Sequence, residues 1–295
     1  TVEQFLNLES QPTKDQLRKV LEVPRQDLIY ELECVLTQIL KHHSNDNEPT
    51  FTPLHSLFLL TELQSESSLP LLLQLCKLDD DSLFFYFDDH TTETMWQDTF
   101  VLGKNNLNEL FNFLINSDSQ SIGTCIITDG LTQIGLHFPE LRLEIINGLK
   151  YTYKYLYENK RDYKIDHLDW LLMVVIDLNA VELLATLKLF FDNNRMLDYK
   201  KWDDFVDEFG PNFEGARPLQ SIVERYENDA TPDIQFEREF FEINSMNPDT
   251  LEELEIMENR IDELMKRKGI SMPTINNKIG RNELCPCGSG KKYKN

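Results

Sequence analysis

The stretch that decides the fold runs from residue 121 to residue 157 and reads SIGTCIITDGLTQIGLHFPELRLEIINGLKYTYKYLY. Its apolar residues recur at three- and four-residue intervals, which is the period of one face of an α-helix. Pro139 divides the run, and proline suits the first turn of a helix because no amide proton is needed there. The sequence therefore predicts two consecutive helices, Ser121 to His137 and Pro139 to Tyr157.

The same periodicity continues on both sides of this stretch and is interrupted by clusters of Asn, Asp, Ser or Pro. It predicts three more helix pairs: Pro53 to Gln64 with Leu69 to Lys77, Thr92 to Leu102 with Leu107 to Asn116, and His167 to Leu178 with Ala180 to Asp192. Units of about 35 to 45 residues built from two helices resemble HEAT-like repeats. We therefore predict an all-α fold, a HEAT-like α-solenoid of stacked helix pairs. An irregular helical domain is the alternative, because the repeat has no strict consensus.

Both ends of this repeat region carry further helical patterns. Thr13 to Leu21 and Pro24 to His42 are predicted to cap the first repeat, and Arg217 to Asn228 belongs to a carboxyl-terminal cap. The helical repeat domain with its caps is accordingly predicted to span residues 1–230. Solenoids of this kind expose an extended face that usually binds proteins.

Residues 231–269 are predicted to be an acidic linker followed by a separate amphipathic helix, Pro248 to Lys268. The helix carries a narrow apolar stripe at helical spacing: Leu251, Leu254, Met257, Ile261, Leu264 and Met265. Such a helix can dock on the body, pair with a partner helix or act as a spacer. Residues 270–280 contain Pro273, Asn276 and Asn277 and indicate a flexible linker.

Residues 281–295 read RNELCPCGSGKKYKN and contain the only closely spaced cysteines of the chain, Cys285 and Cys287. A structural zinc ion takes four thiolate or imidazole ligands, and these two cysteines supply two of them. Gly288 and Gly290 allow a tight turn in which amide groups approach a metal-bound sulfur. The lysines that follow favour the thiolate form of the cysteines.

This tail resembles the SEC-C (SecA C-terminal-like) zinc-binding motif, which also occurs on many other bacterial proteins. The resemblance implies that Cys285 and Cys287 are zinc ligands and that the remaining ligands follow residue 295. It assigns partner contacts to the basic and aromatic residues of the tail: Arg281, Lys291, Lys292, Tyr293 and Lys294. Zinc is expected in the intact protein and is expected to be absent from a chain that ends at Asn295. The implied partners belong to the export, chaperone or ribosome-associated translation machinery.

The helical body, through patches such as Trp170 to Asp198, also resembles a bacterial family of unknown function, and that resemblance implies no known reaction.

The net charge of −22 is unevenly distributed. Residues 278–295 carry five basic residues and one acidic residue, a net charge of +4, which leaves −26 on the rest of the chain. An acidic body repels phosphates, so direct DNA binding by the body is not expected. We find no apolar run long enough for a membrane span and no secretion signal at the amino end, which predicts a cytoplasmic bacterial protein.

No catalytic motif is present in the sequence. Two acidic clusters, Asp79 to Asp81 and Asp88-Asp89-His90, lie at predicted helix boundaries, where aspartate is a favoured cap. They lack the spacing of a recognised metal loop. Cys34, Cys76 and Cys125 occur singly in apolar helical patterns, which is typical of buried structural thiols.

The resulting hypothesis is a non-enzymatic adaptor whose solenoid holds one protein partner and whose SEC-C tail docks on another. A first alternative is a metal-dependent hydrolase or nucleic-acid-processing factor that uses Asp88, Asp89 and His90. A second is a component of a phage-defence or toxin-neutralising system, for which no residue discriminates.

Overall fold

The structure is a computed structural model. It describes residues 2–8, 11–42, 50–116, 121–159, 165–192, 202–206 and 215–228, together with Ile256 and Arg260. The chain divides into two compact units, Thr1–Ile234 and Gln235–Asn295. Only Ile256 and Arg260 are described in the second unit, and both are helical and exposed. The four predicted domains and their bounds stay predictions.

All regular structure among the described residues is helical, which confirms the predicted all-α class. The α-helices are α1 (Val2–Leu6), α2 (Lys14–Leu21), α3 (Arg25–His42), α4 (Thr52–Glu62), α5 (Leu69–Leu75), α6 (Asp80–Phe87), α7 (His90–Glu93), α8 (Met95–Gly103), α9 (Leu107–Asn116), α10 (Ser121–His137), α11 (Arg142–Asn159), α12 (Ile165–Asp177), α13 (Leu184–Phe191), α14 (Trp202–Val206) and α15 (Ile222–Asn228). Short 3-10 turns, Glu66–Ser68 and Val181–Leu183, precede α5 and α13.

Side-chain caps fix the starts of α2 and α6. Thr13 and Gln16 form a reciprocal capping box on α2, in which the Gln16 carboxamide oxygen accepts the Thr13 amide proton at 2.7 Å. Asp79 caps α6 by accepting the Ser82 amide proton at 2.8 Å. The first acidic cluster therefore has a local structural role.

Two of the helix pairs are joined by the same kind of turn. Gln64 after α4 and Asn179 after α12 both adopt positive φ, 48° and 47°. In each case the next amide, of Ser65 or Ala180, donates back to a carbonyl five residues earlier, and a 3-10 turn follows. This left-handed closure satisfies the free carbonyls at the helix end. The recurrence of this turn agrees with the predicted repeat of helix pairs.

The helices of the first unit form two adjoining rows. In one row α4, α8, α10 and α12 contact each other in succession, and in the other α9, α11 and α13 do so. Contacts of α10 with α9 and α11 join the rows over a continuous apolar core. Whether the pairs continue as a regular solenoid stays a prediction.

Three predicted helices differ from the observed ones. The helix predicted over Thr92 to Leu102 is divided at Thr94, where φ is −129° and the hydroxyl bonds the His90 ring at 2.9 Å. The helix predicted from Pro139 begins at Arg142, after a turn. The helix predicted from Arg217 begins only at Ile222. Pro218 disfavours helical conformation at the residue before it, and the amides of Arg217 and Gln220 donate to the side chains of Gln133 and Gln97.

The other helices predicted before residue 180 agree closely with the structure, and α9 and α10 begin and end at the predicted residues. The helix predicted over Ala180 to Asp192 is a 3-10 turn followed by α13. The helix predicted over Pro248 to Lys268 lies outside the described residues apart from Ile256 and Arg260, and it stays a prediction. The helices α1, α6 and α14 are additional to the predicted ones. Cys76 and Cys125 are buried as expected, whereas Cys34 is half-buried, and all three are free thiols. Among the helices that the structure describes, none is both long and apolar enough to cross a membrane.

Candidate functional site: a strap bound across three helices

Residues 215–228, here called the strap, cross the row of α4, α8 and α10 in reverse chain order. Arg217 contacts α10, Gln220 contacts α8, and Tyr226 reaches α4. The first part, residues 215–221, is non-helical, and the second part is α15. The strap-binding face is the set of side chains that contact the strap, together with Thr61, which bonds Asp98: His55, Phe58, Thr61, Gln97, Asp98, Asp129, Gln133 and His137.

Side-chain groups of α8 and α10 bind the main chain of the strap. The Gln97 carboxamide forms two hydrogen bonds with one residue: it accepts the Gln220 amide proton at 2.9 Å and donates to the Gln220 carbonyl at 2.6 Å. Gln133 accepts the Arg217 amide proton at 2.8 Å, and His137 Nε2 donates to the Arg217 carbonyl at the same distance. Main-chain groups outside regular structure need such partners, and here the helices supply them.

Arg217 is the first of two arginines that pair with acidic residues of this face. Its guanidinium donates to Asp129 Oδ1 and lies 4.7 Å from the centroid of the Trp96 ring. Both side chains of the ion pair are partly exposed. Arginine favours such sites because its planar group can stack on a ring while it pairs with a carboxylate.

Arg225 forms a fully buried, two-bond ion pair with Asp98. Both N···O distances are 2.7 Å, and the side chains are 2% and 0% exposed. The Thr61 hydroxyl donates to Asp98 Oδ1 at 2.5 Å, and the Arg225 guanidinium lies 3.6 Å from the centroid of the Phe58 ring. Removing a charged group from water costs free energy, and these contacts offset that cost for both charges.

The end of the strap is held by His55. Its Nε2 donates to the Leu8 carbonyl at 3.2 Å, so the neutral ring accepts the Tyr226 hydroxyl proton at Nδ1, at 2.8 Å. The Gln11 side chain donates to the Tyr226 carbonyl. Burial lowers the pKa of His55 to about 4, although the Leu8 carbonyl opposes this shift. Burial also raises the pKa of the Tyr226 phenol.

We expect His55 to make the protein sensitive to acid. Because the folded-state pKa of His55 is about 4 and the unfolded value is about 6.5, the unfolded chain binds the proton more readily as pH falls below about 6.5. Stability is therefore lost between these two values, by about 2 kcal/mol at pH 5 from this residue alone. Urea unfolding at pH 7.5 and pH 5 checks this, with His55→Asn as the matched variant. Equal pH dependence in the two proteins would contradict the prediction.

A cavity of about 180 Å³ lies beside the strap, between it and helices α4 and α8. Leu219, Gln220 and Arg225 of the strap line it, together with Glu62 and Gln97. The buried Nε of Arg225 has no hydrogen-bond partner among the described residues. The strap therefore fills its site incompletely.

The site residues predicted in the tail lie outside the described residues. They are the two zinc ligands and the five contact residues: Cys285, Cys287, Arg281, Lys291, Lys292, Tyr293 and Lys294. Their predicted roles stay predictions.

The second acidic cluster does not form a common ligand set. His90 is buried, with its ring edge against Phe58 at 5.0 Å between centroids, whereas Asp89 is exposed. Asp88 directly follows α6, and its carbonyl accepts the Thr91 hydroxyl proton at 2.8 Å. In the part of the chain that the structure describes, no group of three His, Cys, Asp or Glu side chains could hold a metal ion.

Comparison with known proteins identifies the tail. Residues 281–295 match the SEC-C motif family, as the sequence predicted. The carboxyl-terminal region is similar to protein translocase subunit SecA from several bacteria. The SecA of Clostridium novyi is 32% identical over 115 residues, covering 32% of this chain and 13% of that protein.

Two further SecA proteins give comparable matches. Those of Syntrophomonas wolfei and Desulforamulus reducens are each 34% identical, over 117 and 113 residues, and each match covers 34% of this chain. The chain spans only 12–13% of the length of these relatives. No solved structure matches the chain.

Proposed function

We propose that this protein is a non-enzymatic bacterial adaptor of the cytoplasm. Its helical unit holds one protein partner, and its SEC-C tail docks on a second partner in the export, chaperone or translation machinery. The observation that carries the proposal is the SEC-C match at residues 281–295, on a chain whose carboxyl-terminal region is similar to translocase subunits. The acidic charge of the chain, −22 in total, further favours basic protein partners over nucleic acid.

In this proposal zinc organises the tail. Cys285 and Cys287 are soft thiolate donors of the type that structural zinc prefers, and they supply two of its about four ligands. The rest of the set comes from other side chains. Because a short loop has little core of its own, zinc binding supplies the free energy that folds it. The five basic and aromatic residues of the tail then face the partner.

The metal content of the protein tests this step. We expect about one zinc ion per chain in the unaltered protein and none after truncation at Gly280. Cys285→Ser should lower the zinc content strongly, because it removes a ligand. Ser289→Ala lies in the same motif without removing a thiolate, and it should keep the metal. Absence of stoichiometric zinc from the unaltered protein would overturn the zinc part of the proposal.

The helical unit offers the strap-binding face as its protein-binding surface. This face already binds a polypeptide segment through main-chain and arginine contacts. A surface that satisfies the hydrogen bonds of one extended segment has the chemistry to hold another. The proposal thus assigns the two partners to two separate parts of the chain.

A further inference from the structure

We infer that the strap occupies a binding site for an extended, arginine-bearing segment of a partner protein. The inference rests on the proposed role of the helical unit as a protein-binding surface and specifies the partner for that surface. The strap, residues 215–228, is then a built-in competitor that a matching segment displaces.

Main-chain recognition by Gln97 is the first support. Its carboxamide forms two hydrogen bonds, with the amide and the carbonyl of Gln220. Both bonds involve the main chain of Gln220 and not its side chain. Gln133 and His137 do the same jointly for Arg217. Any extended segment offers these groups at the same spacing, except where proline removes the amide proton. The face is therefore able to bind main chains of different sequence.

The acidic residues of the face supply selectivity. Asp98 receives two parallel hydrogen bonds from the Arg225 guanidinium, a geometry that lysine cannot reproduce. Asp129 pairs with Arg217, eight residues earlier in the strap. The matching partner segment thus carries two arginines at this spacing, the first in an extended stretch and the second in a short helix. Its positive charge complements the net charge of −22.

The strap is an imperfect ligand of its own site. Its anchoring residues Arg225 and Tyr226 are buried, but Leu219 is 46% exposed beside the cavity of about 180 Å³. The Nε of Arg225 is buried with no hydrogen-bond partner in the described part of the chain. A segment with a larger apolar residue in the place of Leu219 would fill the cavity and gain buried area. A partner can therefore bind more tightly than the strap.

Fluorescence anisotropy with a labelled synthetic peptide tests the inference on the full-length protein. The peptide has the sequence of residues 215–228, GARPLQSIVERYEN. Arg225→Ala weakens the strap without replacing any residue of the face and leaves Asp98 without its arginine. This variant should therefore bind the peptide at least tenfold more tightly than the wild-type protein. Adding Gln97→Ala in the same background should reverse the gain, because the main-chain contacts to the peptide are lost.

Changes in the peptide provide a matched set of controls. The Arg225→Ala peptide should bind at least tenfold more weakly to the Arg225→Ala protein, whereas the Leu219→Phe peptide should bind more tightly. If Arg225→Ala does not fold by circular dichroism, Gln220→Pro weakens the strap instead by removing one amide proton. A folded strap variant that binds the peptide no better than wild type overturns the inference. Exchange of straps between two copies, detected as a dimer of the wild-type chain, also overturns it.

The tail takes no part in this experiment, so its outcome is separable from that of the adaptor proposal. If the peptide does not bind but tail variants still lose a distinct set of partners, only the inferred ligand of the strap-binding face is wrong. If the peptide binds and the tail variants lose nothing, the docking role of the tail is wrong.

Discussion

Replacing Asp98 with alanine is expected to lower the free energy of unfolding by about 3–5 kcal/mol, as is usual when one partner of a buried ion pair is removed. The substitution leaves the Arg225 guanidinium without its carboxylate at a site where the arginine is 2% exposed. It also deprives the Thr61 hydroxyl of its acceptor. The loss should include detachment of the strap, because Arg225 is its deepest anchor. Equilibrium unfolding in urea measures the change.

An exposed pair of the same chemistry provides the control. Arg18 and Asp15 lie 2.8 Å apart on α2, but their side chains are 70% and 77% exposed. Exposed pairs contribute about 0–1 kcal/mol, so Asp15→Ala should have a small effect. A double-mutant cycle on Asp98 and Arg225 should show strong coupling, since each residue is costly to bury without the other. Similar losses from Asp98→Ala and Asp15→Ala would contradict the description of a buried pair.

Replacing Gly123 with alanine should cost about 3 kcal/mol, at the upper end of the usual range for overpacking. A Cβ atom at this position would lie 1.9 Å from the carbonyl oxygen of Cys76, at the end of α5. Because the obstacle is backbone, no rotamer change relieves the clash, and α10 must move away from α5. The movement would also disturb α8, which packs against both helices. Thermal unfolding followed by circular dichroism measures the effect.

Gly103→Ala is the matched helical control for this prediction. Its Cβ would come 3.0 Å from the end of the Leu110 side chain, which can rotate. Alanine also favours helix over glycine by about 1 kcal/mol, which offsets part of the crowding. We expect a change within about 1 kcal/mol. Equal effects of Gly103→Ala and Gly123→Ala on thermal stability would contradict the close packing of α10 against the Cys76 carbonyl.

The helices could be predicted from the sequence because their signals are local. In α10 the apolar period and the boundaries at Ser121 and His137 lie within one stretch, and the structure reproduces both ends. The start of α15 could not be predicted in the same way. The main chain around Arg217 and Gln220 is bound by Gln133 and Gln97, which are 84 and 123 residues away in the sequence. Local periodicity contains no information about such contacts.

The strap-binding face illustrates the same limit. Gln97 and Asp98 lie in the mostly apolar helix α8, and His55 and Thr61 lie in the mostly apolar helix α4. Buried polar residues within apolar helices signal that a partner is required. This signal was available in the sequence, but it does not identify the partner. The tail residues, by contrast, are predicted from the resemblance of residues 281–295 to the SEC-C motif, and the match to the SEC-C family confirms the motif.

The central claim is that two separate surfaces hold two different partners, one on the helical unit and one on the SEC-C tail. The most direct measurement is quantitative affinity capture from cells with three full-length proteins: wild type, Cys285→Ser with Cys287→Ser, and Gln97→Ala with Gln133→Ala. We predict that the cysteine variant loses one set of partners and keeps a second set, and that the glutamine variant shows the reverse. Loss of the same partners from both variants, or from neither, would contradict the account.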